Sequence, residues 1–222
     1  MKNGRLGAAT NVITIAVAAF LLFGPQGPIL RWLADRKATR AMELLVRTQF
    51  EQVNAGSRLG GQAGPVDLVL FSDYECPFCQ IQDSIMQAMI QTDHNLSIAF
   101  RHFPLPSHAA APAAARLAAC AGAEGHFAEA HRSLFLTPSW KADVAKLQEV
   151  VEHLDIPNKA IVQTCIDEMK SEVSVQSDLE LGRMLGVHAT PTWLYRTGVS
   201  AGLLSADSLR SLIAISRRSE GT

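Results

Sequence analysis

The chain has 222 residues, of which 48% are hydrophobic and 18% charged, and its formal net charge is −1. That is enough apolar material for one globular domain with an appendage, and the charge is too balanced to leave an electrostatic footprint for nucleic acid. The four cysteines are an even number, which in an oxidising compartment allows two pairs. Lys2 and Arg5 precede a mostly apolar stretch from Leu6 to Phe23. As a helix this run would span about 27 Å, close to the thickness of a bilayer core. Gly24-Pro25-Gln26-Gly27-Pro28 then breaks it. Residues 1–30 therefore read as a signal anchor or a signal peptide, and the lack of a small-x-small site just after Phe23 favours the anchor. Arg31, Arg36, Lys37 and Arg40 outnumber Lys2 and Arg5, so a strict positive-inside count would leave the domain in the cytoplasm. Cysteine usage argues instead for the oxidising side.

Residues 31–64 read as an amphipathic helix followed by a glycine-rich linker. Ala34, Ala38, Ala41, Met42, Leu45, Val46, Gln49, Phe50 and Val53 trace one stripe, suited to packing on the domain, to a membrane surface or to self-association as a homodimer. Gly56, Gly60, Gly61 and Gly64 mark Asn54–Pro65 as a flexible link. Val66–Phe71 is a strand. It delivers Cys76-Pro77-Phe78-Cys79 to a segment with helical spacing at Ile81, Ile85, Met86, Met89 and Ile90. At a helix N-terminus the dipole and unpaired N–H groups favour a thiolate, and two intervening residues let the sulfurs meet in a small ring that opens and closes. That is chemistry for passing disulfides. A zinc half-site would need a second Cys or His pair. Cys120 and Cys165 are isolated, and His126 and His131 at i, i+5 do not share a helix face. No metal and no cofactor is expected. A purely structural bridge across so short a loop would remove little chain entropy.

Ile98–Phe103 is a second strand, and the segment between the two strands makes a β-α-β unit. Residues 108–185 are helical in pattern. Trp193-Leu194-Tyr195 and Val199–Leu203 form a hairpin turning at Thr197-Gly198, and Asp207–Ile215 closes as a helix capped by Ser205. The sum is an α/β domain, a small mixed sheet with helices inserted between its halves.

Phe71-Ser72-Asp73-Tyr74-Glu75-Cys76-Pro77-Phe78-Cys79 resembles the DsbA-like branch of the thioredoxin superfamily. So do three further blocks: Arg101-His102-Phe103-Pro104-Leu105, the alanine-rich Ala109–Phe127, and Gly186-Val187-His188-Ala189-Thr190-Pro191-Thr192. The likeness covers residues 64–218. It implies a thioredoxin fold over 65–218 with a helical domain inserted at about 106–172, preceded by the N-terminal transmembrane or signal-anchor helix. It implies that Cys76 is an exposed nucleophile and Cys79 the shielded resolving thiol. Pro77 and Phe78 would tune the redox poise, Phe78 standing where strongly oxidising relatives hold histidine. A cis Thr190–Pro191 bond would present the Thr190 backbone to an extended substrate. His188 is a weaker candidate for modulating the thiolate. Some members staple the insertion with a second disulfide, which makes Cys120 and Cys165 a structural pair; the alternative is two buried free thiols. One departure is Leu70, at a position where many relatives carry a buried acid.

The implied activity is thiol–disulfide exchange with unfolded or partly folded proteins, most simply net oxidation. The expected place is the periplasmic side of a bacterial inner membrane, single-pass or soluble after cleavage, with a membrane redox partner. A disulfide isomerase or reductase, or a non-catalytic peptide-binding chaperone module, are the alternatives.

Overall fold

In the computed structural model, which describes residues 55–61 and 64–218 with scattered positions between 20 and 50, the sheet is built around the two apolar runs. Ser57–Gly60 (β1), Leu68–Ser72 (β2), Ser97–His102 (β3), Thr192–Tyr195 (β4) and Gly198–Ala201 (β5) lie in the order β1-β3-β2-β4-β5. Central β2 is buried at all five positions, which is why it is a continuous apolar run rather than an alternating one. It pairs parallel with β3, from Leu68 opposite Ile98 to Ser72 opposite His102. It pairs antiparallel with β4, Val69 facing Leu194. The parallel pair needs a crossover, and helix α1 (Pro77–Thr92) supplies it.

The stretch expected to be a flexible link carries β1. Ser57–Gly60 runs antiparallel to β3, and Leu59, 2% exposed, faces Ile98. The glycines around this strand serve geometry rather than slack. Gly60 has φ +81°, and a Cβ there would lie 2.2 Å from the Leu96 carbonyl oxygen.

Between β3 and β4 come α2 (Ala111–Ala123), α3 (Phe127–Leu136), two short 3-10 turns (Pro138–Lys141 and Val144–Lys146), α4 (Leu147–His153), α5 (Lys159–Asp167) and α6 (Glu172–Met184). This is a helical insertion in a mixed α/β sheet. Alanines fill much of the buried face of α2, letting neighbouring helices approach closely. β4 and β5 meet through Arg196-Thr197, one residue earlier than expected, with Tyr195 opposite Gly198. Helix α7 (Ala206–Arg218) follows, and Ser205 Oγ accepts the Ser208 N–H at 3.2 Å as its N-terminal cap.

Residues 1–44 and 45–222 form separate compact units. Most of the anchor expected over 1–30 and most of the helix expected over 31–53 lie outside the described residues. Among the described residues no helix is long and apolar enough to cross a membrane. Phe50, in the second unit, is buried, with the Arg196 guanidinium 4.9 Å from its ring centre.

Candidate active site

Cys76 occupies the position just before α1, with extended backbone at φ −69° and ψ 123°, and Pro77 opens the helix. Proline there removes a donor that would be unpaired anyway and presets the helical φ. No side chain caps this N-terminus by hydrogen bond, so its N–H groups are left for a sulfur. Across from it the Thr190–Pro191 peptide bond is cis. The Cys76 Sγ lies 3.5 Å from the Thr190 carbonyl oxygen, to which it donates only in its protonated form. The expectation of an exposed nucleophile needs correction. Cys76 is only 4% exposed, because the Thr190 backbone roofs it, and Cys79, at 1%, is deeper still. Phe78, beside them, is 57% exposed.

The two thiols are pushed in opposite directions. Cys76 is lowered to about 5, first by the hydrogen bond from the Cys79 side chain, which with the N–H groups of Cys79 and Phe78 and the Thr190 side chain outweighs the cost of burial. Cys79 is held well above the usual thiol range, first by burial and then by its bond to Cys76, with the Ser72 hydroxyl and Thr190 offsetting part of this. One sulfur is thus ionised at neutral pH while its neighbour keeps its proton, the division of labour that dithiol exchange requires.

No acid lies at the strand position below the pair. Leu70 is buried in the sheet opposite Phe100 and Trp193. The nearby acids are spent on architecture. The Asp73 carboxylate accepts from the Glu75 N–H at 2.8 Å, the Leu105 N–H at 2.7 Å and His108 Nδ1 at 2.7 Å. Three donors satisfy the hydrogen-bonding capacity of a buried carboxylate. Glu75 accepts the Ala110 and Ala111 N–H groups at 2.8 and 3.0 Å, acting as a cap lent by the motif to the first turn of α2. Both acids therefore bolt the insertion to the CxxC loop.

Sequence reasoning missed several neighbours. Lys141 is half-buried, with Nζ 3.3 Å from Gln80 Oε1, while Gln80 Nε2 donates to the Phe135 carbonyl at 2.9 Å. Burial lowers the Lys141 ammonium, and Asp73, Glu75, Cys76 and Cys79 pull it back up, so a cation stands within electrostatic reach of the thiols. Asp83 was also unmarked, Ser72 and Tyr74 stood only as members of the Phe71–Cys79 block, and His131 only as a poor zinc ligand beside His126. His188 is exposed on the loop before Thr190. Cys120 of α2 and Cys165 of α5 are joined by a disulfide, Cys120 fully buried and Cys165 partly so. Among the described residues, no group of three His, Cys, Asp or Glu side chains could hold a metal ion.

A mixed sheet whose central strand feeds a helix-borne CxxC, facing a cis-proline and interrupted by a helical insertion, defines a thioredoxin-like fold. The family described as thioredoxin matches residues 52–214, and the chain belongs to it. Solved structures share the fold. The thiol-disulfide exchange protein alpha-DsbA2 of Wolbachia pipientis superposes with a TM-score of 0.68 at 20% identity, over 81% of this chain and 97% of that one. BdbD of Bacillus subtilis gives 0.63 at 21%, over 73% and 93%. A linker-deletion mutant of Proteus mirabilis ScsC gives 0.67 at 17%, over 96% of both chains. Among curated proteins, the Na(+)/H(+) antiporter NhaA 1 of Salinispora arenicola is 26% identical over 155 residues, 69% of this chain and 24% of that protein. Its counterpart in Mycolicibacterium gilvum is 28% identical over 197 residues, 83% of this chain and 30% of that one. The chain thus spans less than a third of the length of these relatives, and their names describe the larger whole.

Proposed function

We propose that this protein is a dithiol–disulfide oxidoreductase that oxidises protein substrates through Cys76 and Cys79. The observation that carries the proposal is the split between the two thiols, an acidic Cys76 beneath the cis-proline loop and a protonated Cys79 below it. In the oxidising direction, a substrate thiolate attacks Cys76 Sγ of the Cys76–Cys79 disulfide. The S–S bond breaks, Cys79 leaves with the electron pair and takes up a proton. A second substrate thiolate then attacks the substrate sulfur of the mixed disulfide, and Cys76 leaves as thiolate. The substrate has lost two electrons and gained a disulfide; the protein holds the dithiol. A low-pKa leaving group speeds the last step and stabilises the reduced protein, so both favour oxidation. The backbone of Thr190 offers an extended segment of substrate a strand-like partner.

Repeated turnover needs an oxidant, for which a membrane redox partner is the proposed class. The Cys120–Cys165 bridge suits an oxidising compartment, and we place the domain on the periplasmic side of a bacterial inner membrane, tethered by residues 1–30 or released from them. Equilibration with glutathione and oxidation of a dithiol peptide test the proposal together. The expected outcome is a potential above that of thioredoxin, about −270 mV, and loss of peptide oxidation in Cys76→Ser. A thioredoxin-like potential would turn the reading to a reductase or isomerase. Full cellular activity of Cys76→Ser would turn it to a peptide-binding module.

A further inference from the structure

We propose that His131, on insertion helix α3, is a positioning residue for the dithiol: it closes a hydrogen-bonded staple, Tyr74–His131–Asp83, around Cys76-Pro77-Phe78-Cys79. Tyr74 Oη is 3.1 Å from His131 Nδ1, and His131 Nε2 is 2.8 Å from Asp83 Oδ1. Tyr74 stands in the turn just before the motif, and Asp83 lies one helical turn beyond Cys79 on α1. The three side chains are buried, at 1%, 0% and 9% exposure for Tyr74, His131 and Asp83. Their proton arrangement is self-consistent. Burial and the charge of Asp83 hold the Tyr74 phenol protonated far above its usual range. Its O–H can donate to His131 Nδ1, which leaves Nε2–H to donate to the Asp83 carboxylate. Aromatic rings enclose the histidine: Phe100, Phe135, Phe127 and Tyr74 have centroids 4.9, 5.1, 5.4 and 5.6 Å from its own. In so apolar a cage, a broken link leaves a buried polar group unpaired, so the chain holds firmly.

The staple bears on the chemistry through geometry, and the inference rests on the dithiol function proposed above. The Cys76 thiolate is stabilised by short contacts to Cys79 and to the first N–H groups of α1, and such contacts weaken steeply with distance and angle. Tyr74 belongs to the turn that the Cys76 N–H closes onto the Asp73 carbonyl at 3.2 Å. Asp83 belongs to the helix that carries Cys79. His131 fixes one against the other through side chains, in addition to the backbone bonds from the Cys76 N–H to the Asp73 carbonyl and from the Gln80 N–H to the Cys76 carbonyl.

Tyr74→Phe keeps the ring and removes only the hydroxyl, while Asp83→Asn keeps the shape and removes the charge. Cys76 ionisation, followed by thiolate absorbance, and the equilibrium constant with glutathione are to be measured on variants shown to be folded by circular dichroism. The expected result for Tyr74→Phe is an ionisation midpoint raised by about 0.5 to 1 pH unit and a glutathione-oxidising constant lowered about 3- to 10-fold. The double variant is expected to shift no further than the larger single one, because one staple is lost either way. If Tyr74→Phe and Asp83→Asn both leave the midpoint and the constant at their wild-type values while lowering thermal stability, His131 is only a core histidine and the proposal falls. A wild-type protein that exchanges no disulfides would instead overturn the dithiol reading, a failure visible before any variant is made.

Discussion

At the scale of single residues, one acidic sulfur decides what the protein can do. Cys76 is lowered to about 5, so its thiolate is the main form from mildly acidic pH upward. The rate of alkylation at Cys76 is expected to be flat from pH 7 down to about pH 6 and to halve near pH 5. The midpoint potential is expected to change slope at the same place. Above pH 5 one proton accompanies two electrons, about 30 mV per pH unit; below it two do, about 59 mV. Mass-resolved alkylation and glutathione equilibria across pH 4–8 would measure both. A rate that keeps rising tenfold per pH unit up to pH 8 would mean an ordinary thiol. The 4% exposure of Cys76 bears on the reagent: a small one such as iodoacetamide reaches a sulfur roofed by Thr190 more readily than a bulky maleimide.

At the scale of elements, the insertion is fastened to itself and to the sheet by different means. The Cys120–Cys165 bridge, with a sequence separation of 45, ties α2 to α5. Cys120→Ala/Cys165→Ala is expected to lower folding stability by about 4 kcal/mol on the chain-entropy account, read by urea unfolding, with the rate of peptide oxidation kept under native conditions. Loss of that rate in a folded double variant would make the bridge part of the exchange chemistry. Gly182 is the close contact between α6 and the sheet. A Cβ there would lie 2.6 Å from the Phe103 ring, which is buried edge-on to Phe71. Alanine gains about 1 kcal/mol of helix propensity, but a Cβ 2.6 Å from the Phe103 ring and 3.0 Å from the Phe71 ring forces the rings or the helix to shift. Gly182→Ala is therefore expected to destabilise by about 1–3 kcal/mol net, and a rise in the unfolding midpoint would show that α6 can shift. These elements also mark what was legible in the chain. Cysteine and continuous apolar runs carry their structural meaning in their identity, so the Cys76–Cys79 helix start and β2 could be placed from sequence, whereas the cis Thr190–Pro191 loop was expected only through the family resemblance. Strand β1 could not: a single inward Leu59 among glycines has no visible period. Nor could the staple, because Tyr74 and His131 are 57 residues apart and only the fold of the insertion brings them together. His131 drew notice only as a poor zinc ligand paired with His126.

At the scale of the whole molecule, the direction of electron flow is a question of relative stability. Breaking the Cys76–Cys79 disulfide releases a thiolate that the folded protein stabilises and the unfolded chain does not. The folded value of about 5 lies below the ordinary 9.0. An acid lowered in this way stabilises the fold fully above its unfolded pKa and loses that contribution as pH falls through the folded value. Cys79, raised instead, works against the fold only above the ordinary thiol range. Between pH 5 and 9 the dithiol form should therefore gain stability with rising pH, while the disulfide form has no such titration. The closed ring of the CxxC is too short to constrain the unfolded chain by much. In the Cys120→Ala/Cys165→Ala background, where a reductant acts on one pair alone, the reduced protein is expected to unfold at a higher temperature than the oxidised one at pH 7. The gap should narrow toward pH 5. Through the thermodynamic cycle, that excess stability would be the force by which the proposed oxidase drives oxidation of an unfolded dithiol. A reversed order of melting at pH 7 would mean that the fold prefers its disulfide, and electrons would then run from this protein to its clients.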